Sequence, residues 1–294
     1  MLKEKKATLT AVVMLLTASV IWGSSFVAVK DSLDYVTPAW QLFDRLAVAS
    51  LGGIVIFIPQ RKYLCVKYLR QGVVMGIFFA AALIFQNYGA NFSSASKCAF
   101  LTVSYVAFTP IIGAVFLRKR LTARKAATVA VCLAGVGLIT LNERFALEWC
   151  DVFLLLTGFF YAVHLLWIDH CDEKNGAVLI HVVQIWTACL ISLAAALILE
   201  PFSVSTDGSF VLSIIYCGIF EVLIGFLLQF KGQQRTSPQL AGILLSSECV
   251  FAAIFGVIFQ NDSFSVKMGI GCLLILISAV MESLNVERNV KNGN

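Results

Sequence analysis

The chain has 294 residues, of which 59% are hydrophobic and only 13% charged, and its mean hydropathy is +0.87. An ordinary water-soluble domain carries about 25% charged residues, so this composition excludes a molecule bounded by water and requires lipid around most of its surface. The net charge of +5 is modest and sits in short clusters between apolar runs, which fits a membrane face rather than a nucleic-acid groove.

In chain order, ten apolar stretches come close to the ~20 residues a helix needs to cross hydrocarbon. They are 7–29, 38–58, 71–90, 97–117, 124–141, 151–170, 177–199, 209–230, 238–259 and 265–284. Met1 to Lys6 followed by an apolar run resembles a signal peptide. That run extends to Val29, longer than a signal's apolar core, and further spans follow, so it reads as the first membrane helix. The predicted class is an all-α integral membrane protein with short connections, none large enough for a soluble domain.

The basic residues orient these spans. With the N-terminus cytoplasmic, the inner segments hold Lys3, Lys5, Lys6, Arg61, Lys62, Lys67, Arg70, Arg118, Lys119, Arg120, Arg124, Lys125, Lys174, Lys231, Arg235, Arg288 and Lys291. The outer segments hold Lys30, Lys97, Arg144 and Lys267, and Arg45 lies inside a span. Lys and Arg gather on the cytoplasmic side of membrane proteins, so both termini are expected in the cytoplasm of a multi-pass plasma-membrane protein. The nine cysteines show no C-x-x-C spacing and read as small apolar fillers, with no metal site or cofactor signalled. The sequons at Asn91 and Asn261 abut helix ends and read as chance matches.

Residues 90–122 can be laid on 232–265, with Ala90 on Gly232 and Ser96 on Pro238. The order of features agrees: polar break, helix, loop, helix. Each half then holds five spans, an odd number, so the second half is inserted upside down. Inverted halves about an axis in the membrane plane let one fold open alternately to either side.

Four stretches resemble a known family. Trp22-Gly23-Ser24-Ser25-Phe26 is similar to a W-G-x-x-F opening, and Arg45 with the small residues after it is similar to R-F-x-x-A. Ser247-Glu248-Cys249-Val250-Phe251-Ala252-Ala253 resembles L-E-P-V-x-A-A, and Phe116 to Thr122 resembles L-x-x-E-x-L-T. These are motifs of the EamA-type branch of the drug/metabolite transporter superfamily, and the resemblance covers nearly the whole chain. Lys119 stands where the family usually has Glu, and Cys249 where it usually has Pro, two departures that bear on local helix-end and kink geometry and not on the fold. The resemblance implies ten helices in two EamA repeats, 7–141 and 151–284, around a cavity lined by helices 1, 3, 4, 6, 8 and 9. It leaves the substrate open among amino acids, sugars, nucleotide sugars and drugs.

Polar groups inside the bilayer need an interior partner or a wet cavity. Glu221 shares an α-helical face with Gly225, Leu228 and Gly232, and Glu248 one with Ala241, Leu244 and Leu245. Either carboxylate could bind a substrate ammonium or a proton, or could be a packing glutamate. Arg45 reads as a clamp to carbonyls or to an acid on another helix, since its neighbour Asp44 points about 100° away. Trp22, Ser25, Gln86, Tyr105, Tyr161 and His164, with Phe78, Phe79 and Ala82 on the predicted Gln86 face and Phe78 taken as its substrate contact, form a polar-aromatic set that suits an apolar or aromatic amino acid. Each one singly reads equally well as an interhelical contact. Pro110 is placed to kink its helix for gating or simply to pack.

No P-loop appears, so the expectation is a secondary transporter exporting amino acids or related metabolites by alternating access. Protons are a candidate coupling ion, through Glu221 and His164, and a monomer suffices. Transport of another substrate class is the alternative. A membrane-embedded enzyme is disfavoured because His164, His170 and His181 lack H-x-x-H-type spacing.

Overall fold

The computed structural model describes residues 2–93, 95–116, 122–140, 148–171, 176–259 and 266–291. Among these residues every regular element is helical. The first half comprises α1 (Leu2–Ser32), α2 (Pro38–Phe57), a 3₁₀ turn (Ile58–Tyr63), α3 (Val66–Asn91), α4 (Ala95–Thr102), α5 (Tyr105–Phe116) and α6 (Ala123–Thr140). The second comprises α7 (Trp149–Ile168), α8 (Ala177–Leu199), α9 (Gly208–Tyr216), a π-helical stretch (Cys217–Gly225), α10 (Phe226–Gln233), α11 (Pro238–Leu245), α12 (Glu248–Phe259) and α13 (Val266–Lys291). Among the described residues, seven helical runs are long and apolar enough to cross a membrane, and shorter apolar helices accompany them.

Local chemistry sets several helix starts. Pro38 and Pro238 occupy first-turn positions, where a missing N–H costs nothing. Ser237 Oγ accepts from Leu240 N at 3.2 Å. Glu148 and Asp151 form a reciprocal capping box on α7. Both carboxylate oxygens of Glu200, at the end of α8, accept from Ala39 N at 3.0 and 3.1 Å, which satisfies an orphan donor at the start of α2.

The packing is interchanged when the halves are swapped. α1 packs on α12 while α7 packs on α5, and α3 packs on α8 while α2 packs on the π-helical stretch. α6 and α13 pack on each other, as do α2 and α8. This is the contact pattern that two five-span repeats produce about a shared axis.

Two spans expected to be single helices, 97–117 and 238–259, are each broken in the middle. The first breaks at Val103–Ser104 and the second at Ser246–Ser247. In the register that places Ala90 on Gly232, the two breaks fall within one residue of each other. At the second break Ser246 Oγ donates to Ile243 O at 2.6 Å, the competition for backbone carbonyls by which serine interrupts a helix; at the first, the buried Ser104 hydroxyl has no hydrogen-bond partner among the described residues. Pro110 lies within α5, beyond the break. Of the aligned segments, residue 94, residues 117–121 with Lys119, and residues 260–265 with Asn261 lie outside the described residues.

A glycine from the other half seats each break. A Cβ on Gly23 would come within 2.8 Å of Ala252 N and 2.9 Å of Glu248 O, while one on Gly158 would approach Thr102 O and Tyr105 N at 3.1 Å. Backbone cannot yield as a side-chain tip can, so Gly23→Ala is expected to cost about 1–3 kcal/mol through overpacking. Gly208→Ala, with nothing within 4 Å of the new methyl, should be neutral or slightly stabilising. Unfolding midpoints of the two variants in detergent would check this, and equal midpoints would refute the close-packing account.

Candidate functional site

The central cavity has about 660 Å³ of empty space, including its mouth. Its walls come from the first, third, fourth, sixth, eighth and ninth spans: Trp22, Ser25 and Lys30 from α1, Gln86 from α3, and Thr102 and Tyr105 beside the first break. Tyr161 comes from α7, Glu221, Phe226 and Gln229 from the eighth span, and Glu248 from beside the second break. Tyr105 and Glu248 are the first residues of α5 and α12, so each half-helix begins at the cavity. The two meet there, with the Tyr105 hydroxyl donating to Glu248 Oε1 at 3.3 Å.

The two glutamates have different surroundings. Glu221 is held by Arg45, whose Nη1 donates to both carboxylate oxygens at 2.8 and 3.0 Å. The guanidinium is fully buried, and its Nη2 donates to Asn87 Oδ1 at 2.8 Å. Asn87 Nδ2 donates in turn to Gln41 Oε1 at 2.6 Å and to Pro38 O at 3.0 Å, and Gln41 Nε2 donates to Ser32 Oγ at 2.8 Å. A charge taken out of water needs this kind of partnering. Glu248, 3% exposed, forms no ion pair among the described residues. Lys30, at one end of the cavity, spends its ammonium on Ala90 O (3.1 Å) and Asn91 O (3.4 Å) at the end of α3.

The eighth span is wound differently from the α-helical expectation. Its π stretch advances the lining face by five residues, from Glu221 to Phe226, before ordinary spacing resumes at Gln229. Gly225 faces the Trp22 indole instead, and Gly232 faces Leu15. Two side chains take up carbonyls within the stretch: Trp22 Nε1 donates to Glu221 O at 3.3 Å, and His181 Nε2 donates to Leu223 O at 2.9 Å. Over the cavity floor, Phe226 lies 4.5 Å from Trp22 and stacks on Tyr161 at 6.2 Å, centroid to centroid.

Seven of the nine substrate candidates from the sequence therefore line the cavity: Trp22, Ser25, Gln86, Tyr105, Tyr161, Glu221 and Glu248. Phe78 does not. It faces a lateral groove, because Phe79, one residue on and about 100° around the helix, is the one that packs toward Phe226 at 4.5 Å. His164 lies a layer behind the wall, with Nε2 2.8 Å from Gln184 Oε1 and its ring 5.6 Å from Phe79. Phe226, Gln229, Thr102 and Lys30 line it as well. The first two were hidden by the π winding, and Lys30 read only as a loop charge.

The sequence profile of the EamA-like transporter family matches residues 9–141 and 148–284. An uncharacterized transporter of Archaeoglobus fulgidus is 27% identical over 274 residues, spanning 91% of this chain and 84% of that protein. The uncharacterized inner membrane transporter YicL of Salmonella typhimurium is 23% identical over 294 residues, with 94% and 96% covered. The uncharacterized transporter YoaV of Bacillus subtilis is 20% identical, with 93% and 97% covered. A solved crystal structure superposes with a TM-score of 0.76 at 20% identity, over 95% of this chain and 98% of that one, and shows the same fold.

Proposed function

The chain belongs to the EamA-like transporter family, a family of membrane transporters, and from that premise we propose that it exchanges protons for small metabolites bearing an ammonium group, apolar or aromatic amino acids foremost. The observation that carries this reading is Glu248, a buried carboxylate with no ion pair among the described residues, set where two broken helices meet inside an aromatic cavity. An isolated carboxylate in such surroundings demands neutralisation by a proton or a cation. It can hold a proton or a substrate ammonium, not both. Across a membrane with an inward proton gradient, that exclusivity drives the substrate outward, so the net direction is export. Trp22, Phe226, Tyr161 and Tyr105 supply the apolar walls for the rest of the molecule, and Gln86 and Gln229 supply hydrogen bonds. Arg45 and Glu221 neutralise each other and act as scaffold.

Proteoliposomes loaded with radiolabelled amino acids test this reading. An inward proton gradient should accelerate efflux of phenylalanine or leucine. If no amino acid moves while the protein remains folded, the substrate assignment fails, and sugars, nucleosides and drugs become the next candidates.

The cytoplasmic placement of both termini is tested separately. Cys65 is exposed between the 3₁₀ turn and α3, at the end rich in Arg61, Lys62, Lys67 and Arg70. Cys171 lies in the loop after α7, but burial pushes its thiol up to about 12, partly offset by Lys67, so it holds almost no reactive thiolate at neutral pH. A membrane-impermeant maleimide should label Cys65 in inside-out vesicles and leave intact cells unlabelled, with Cys65→Ser removing the signal. Labelling of Cys65 in intact cells would reverse the orientation.

A further inference from the structure

Away from the central cavity, a groove with about 830 Å³ of empty space, its open side included, lies on the flank of the molecule between α3, α5 and α7. Its walls are almost wholly apolar, including Val74 and Phe78 of α3, Ile112 and Phe116 of α5, and Phe159 and Val163 of α7. Phe116 is 74% exposed, so the groove faces the surroundings of the protein, which here are lipid.

Its length and its charge each point to one kind of occupant. Along α7 the lining runs from Phe159 to His170, which at about 1.5 Å per residue is ~16 Å, close to half of the ~30 Å hydrocarbon core and so the depth of one leaflet. Only one end is polar. His170 is exposed there, with Nδ1 donating to Leu166 O at 3.1 Å, which leaves Nε2 as the ring nitrogen for a ligand. Arg70, also exposed, stands one helical turn before Val74 on the face of α3 that continues to Phe78. Trp167 lines the same end, its indole N–H donating to Gln71 O at 3.3 Å, the level at which tryptophan settles in a bilayer interface. We infer that this groove is a binding site for one acyl chain of an anionic phospholipid, whose phosphate is held at the basic end by Arg70 and His170. The lipid would brace α5 against α7, the helices that carry Tyr105 and Tyr161 on their cavity sides.

Native mass spectrometry of the full chain in detergent tests this, with phosphatidylglycerol and phosphatidylcholine of identical acyl chains as probes. Phosphatidylglycerol should be retained about fivefold better, the worth of roughly one basic contact to an anionic headgroup. Val163→Trp, which fills the groove, should release the lipid. Arg70→Gln should erase the preference between headgroups without releasing the chain. Equal retention of both lipids by the wild type, or unchanged retention by Val163→Trp, would overturn the site. Should Val163→Trp fail to fold, Arg70→Gln decides on its own, because a preference that survives it removes the phosphate contact. Inorganic phosphate added alone should not compete, and full competition by it would mean a free-anion site and sink the lipid.

Discussion

Arg45→Met is expected to destabilise the protein by about 3–5 kcal/mol, the cost of leaving a buried charge without its partner. The mechanism is specific to the site. Nη1 is bidentate on Glu221, and Nη2 is the donor to Asn87 Oδ1, so one truncation strips two buried groups in the middle of the molecule. Replacing both members of an ion pair with apolar residues of similar volume removes the desolvation penalty along with the attraction. Arg45→Met combined with Glu221→Met should therefore recover most of the loss. Unfolding midpoints in detergent for both single variants and the double variant close the cycle. Additive losses would mean that Arg45 and Glu221 do not stabilise each other. The double variant also separates scaffold from chemistry: if the pair only holds the cavity together, that variant should still bind substrate and respond to pH.

Much of this fold is legible from hydropathy because lipid leaves few options. A backbone surrounded by hydrocarbon must satisfy its own polar groups, so apolar runs of the right length become helices. The breaks at Val103–Ser104 and Ser246–Ser247 are less legible. Both lie inside continuous apolar runs, and an average over such a run does not register a two-residue interruption. The only sequence hints are the serines and the rough superposition of one half on the other. The π stretch is less visible still. Nothing in Cys217-Gly218-Ile219-Phe220-Glu221 distinguishes i→i+5 from i→i+4 bonding, and the winding is fixed by contacts from elsewhere, Trp22 and His181 on its carbonyls and Gly218 against Val48 and the Arg45 backbone. Period-3.6 reasoning therefore finds Glu221 but assigns Gly225 and Leu228 to a face that Phe226 and Gln229 occupy. For the same reason Phe78 and Phe79 could not be told apart: both are apolar, and only the rotation of α3 against α7 decides which faces inward. The pairing of the buried charges is equally hidden in the sequence. Sequence marks Glu221 and Glu248 alike as carboxylates inside spans and favours Glu221 for function, and only the long-range approach of Arg45, 176 positions away, shows that Glu221 is the one with a cation beside it.

That asymmetry makes Glu248 the residue whose replacement should most change transport. Glu248→Gln keeps the shape and an acceptor for the Tyr105 hydroxyl, which now lies 3.3 Å from Oε1, so the fold should survive. What disappears is the carboxyl group that, among the described residues lining the cavity, has no cation beside it. Removing one member of a buried charge pair typically costs about 2–5 kcal/mol in binding, so affinity for an ammonium substrate should fall at least about thirtyfold. The pH dependence is more diagnostic than the size of the loss. If a proton and the substrate compete for Glu248, then over the range in which the carboxyl is protonated the wild-type Kd rises by about tenfold for each unit the pH falls. The dependence vanishes at higher pH, where the carboxyl is already ionised. In Glu248→Gln the Kd should be flat with pH and gradient-driven accumulation should cease, while exchange of labelled for unlabelled substrate at high concentration persists. A variant that keeps the wild-type pH profile would remove Glu248 from coupling. Glu221 would then be the remaining carboxylate on the cavity wall, and for it to take up a proton the Arg45 pair would have to open during the transport cycle.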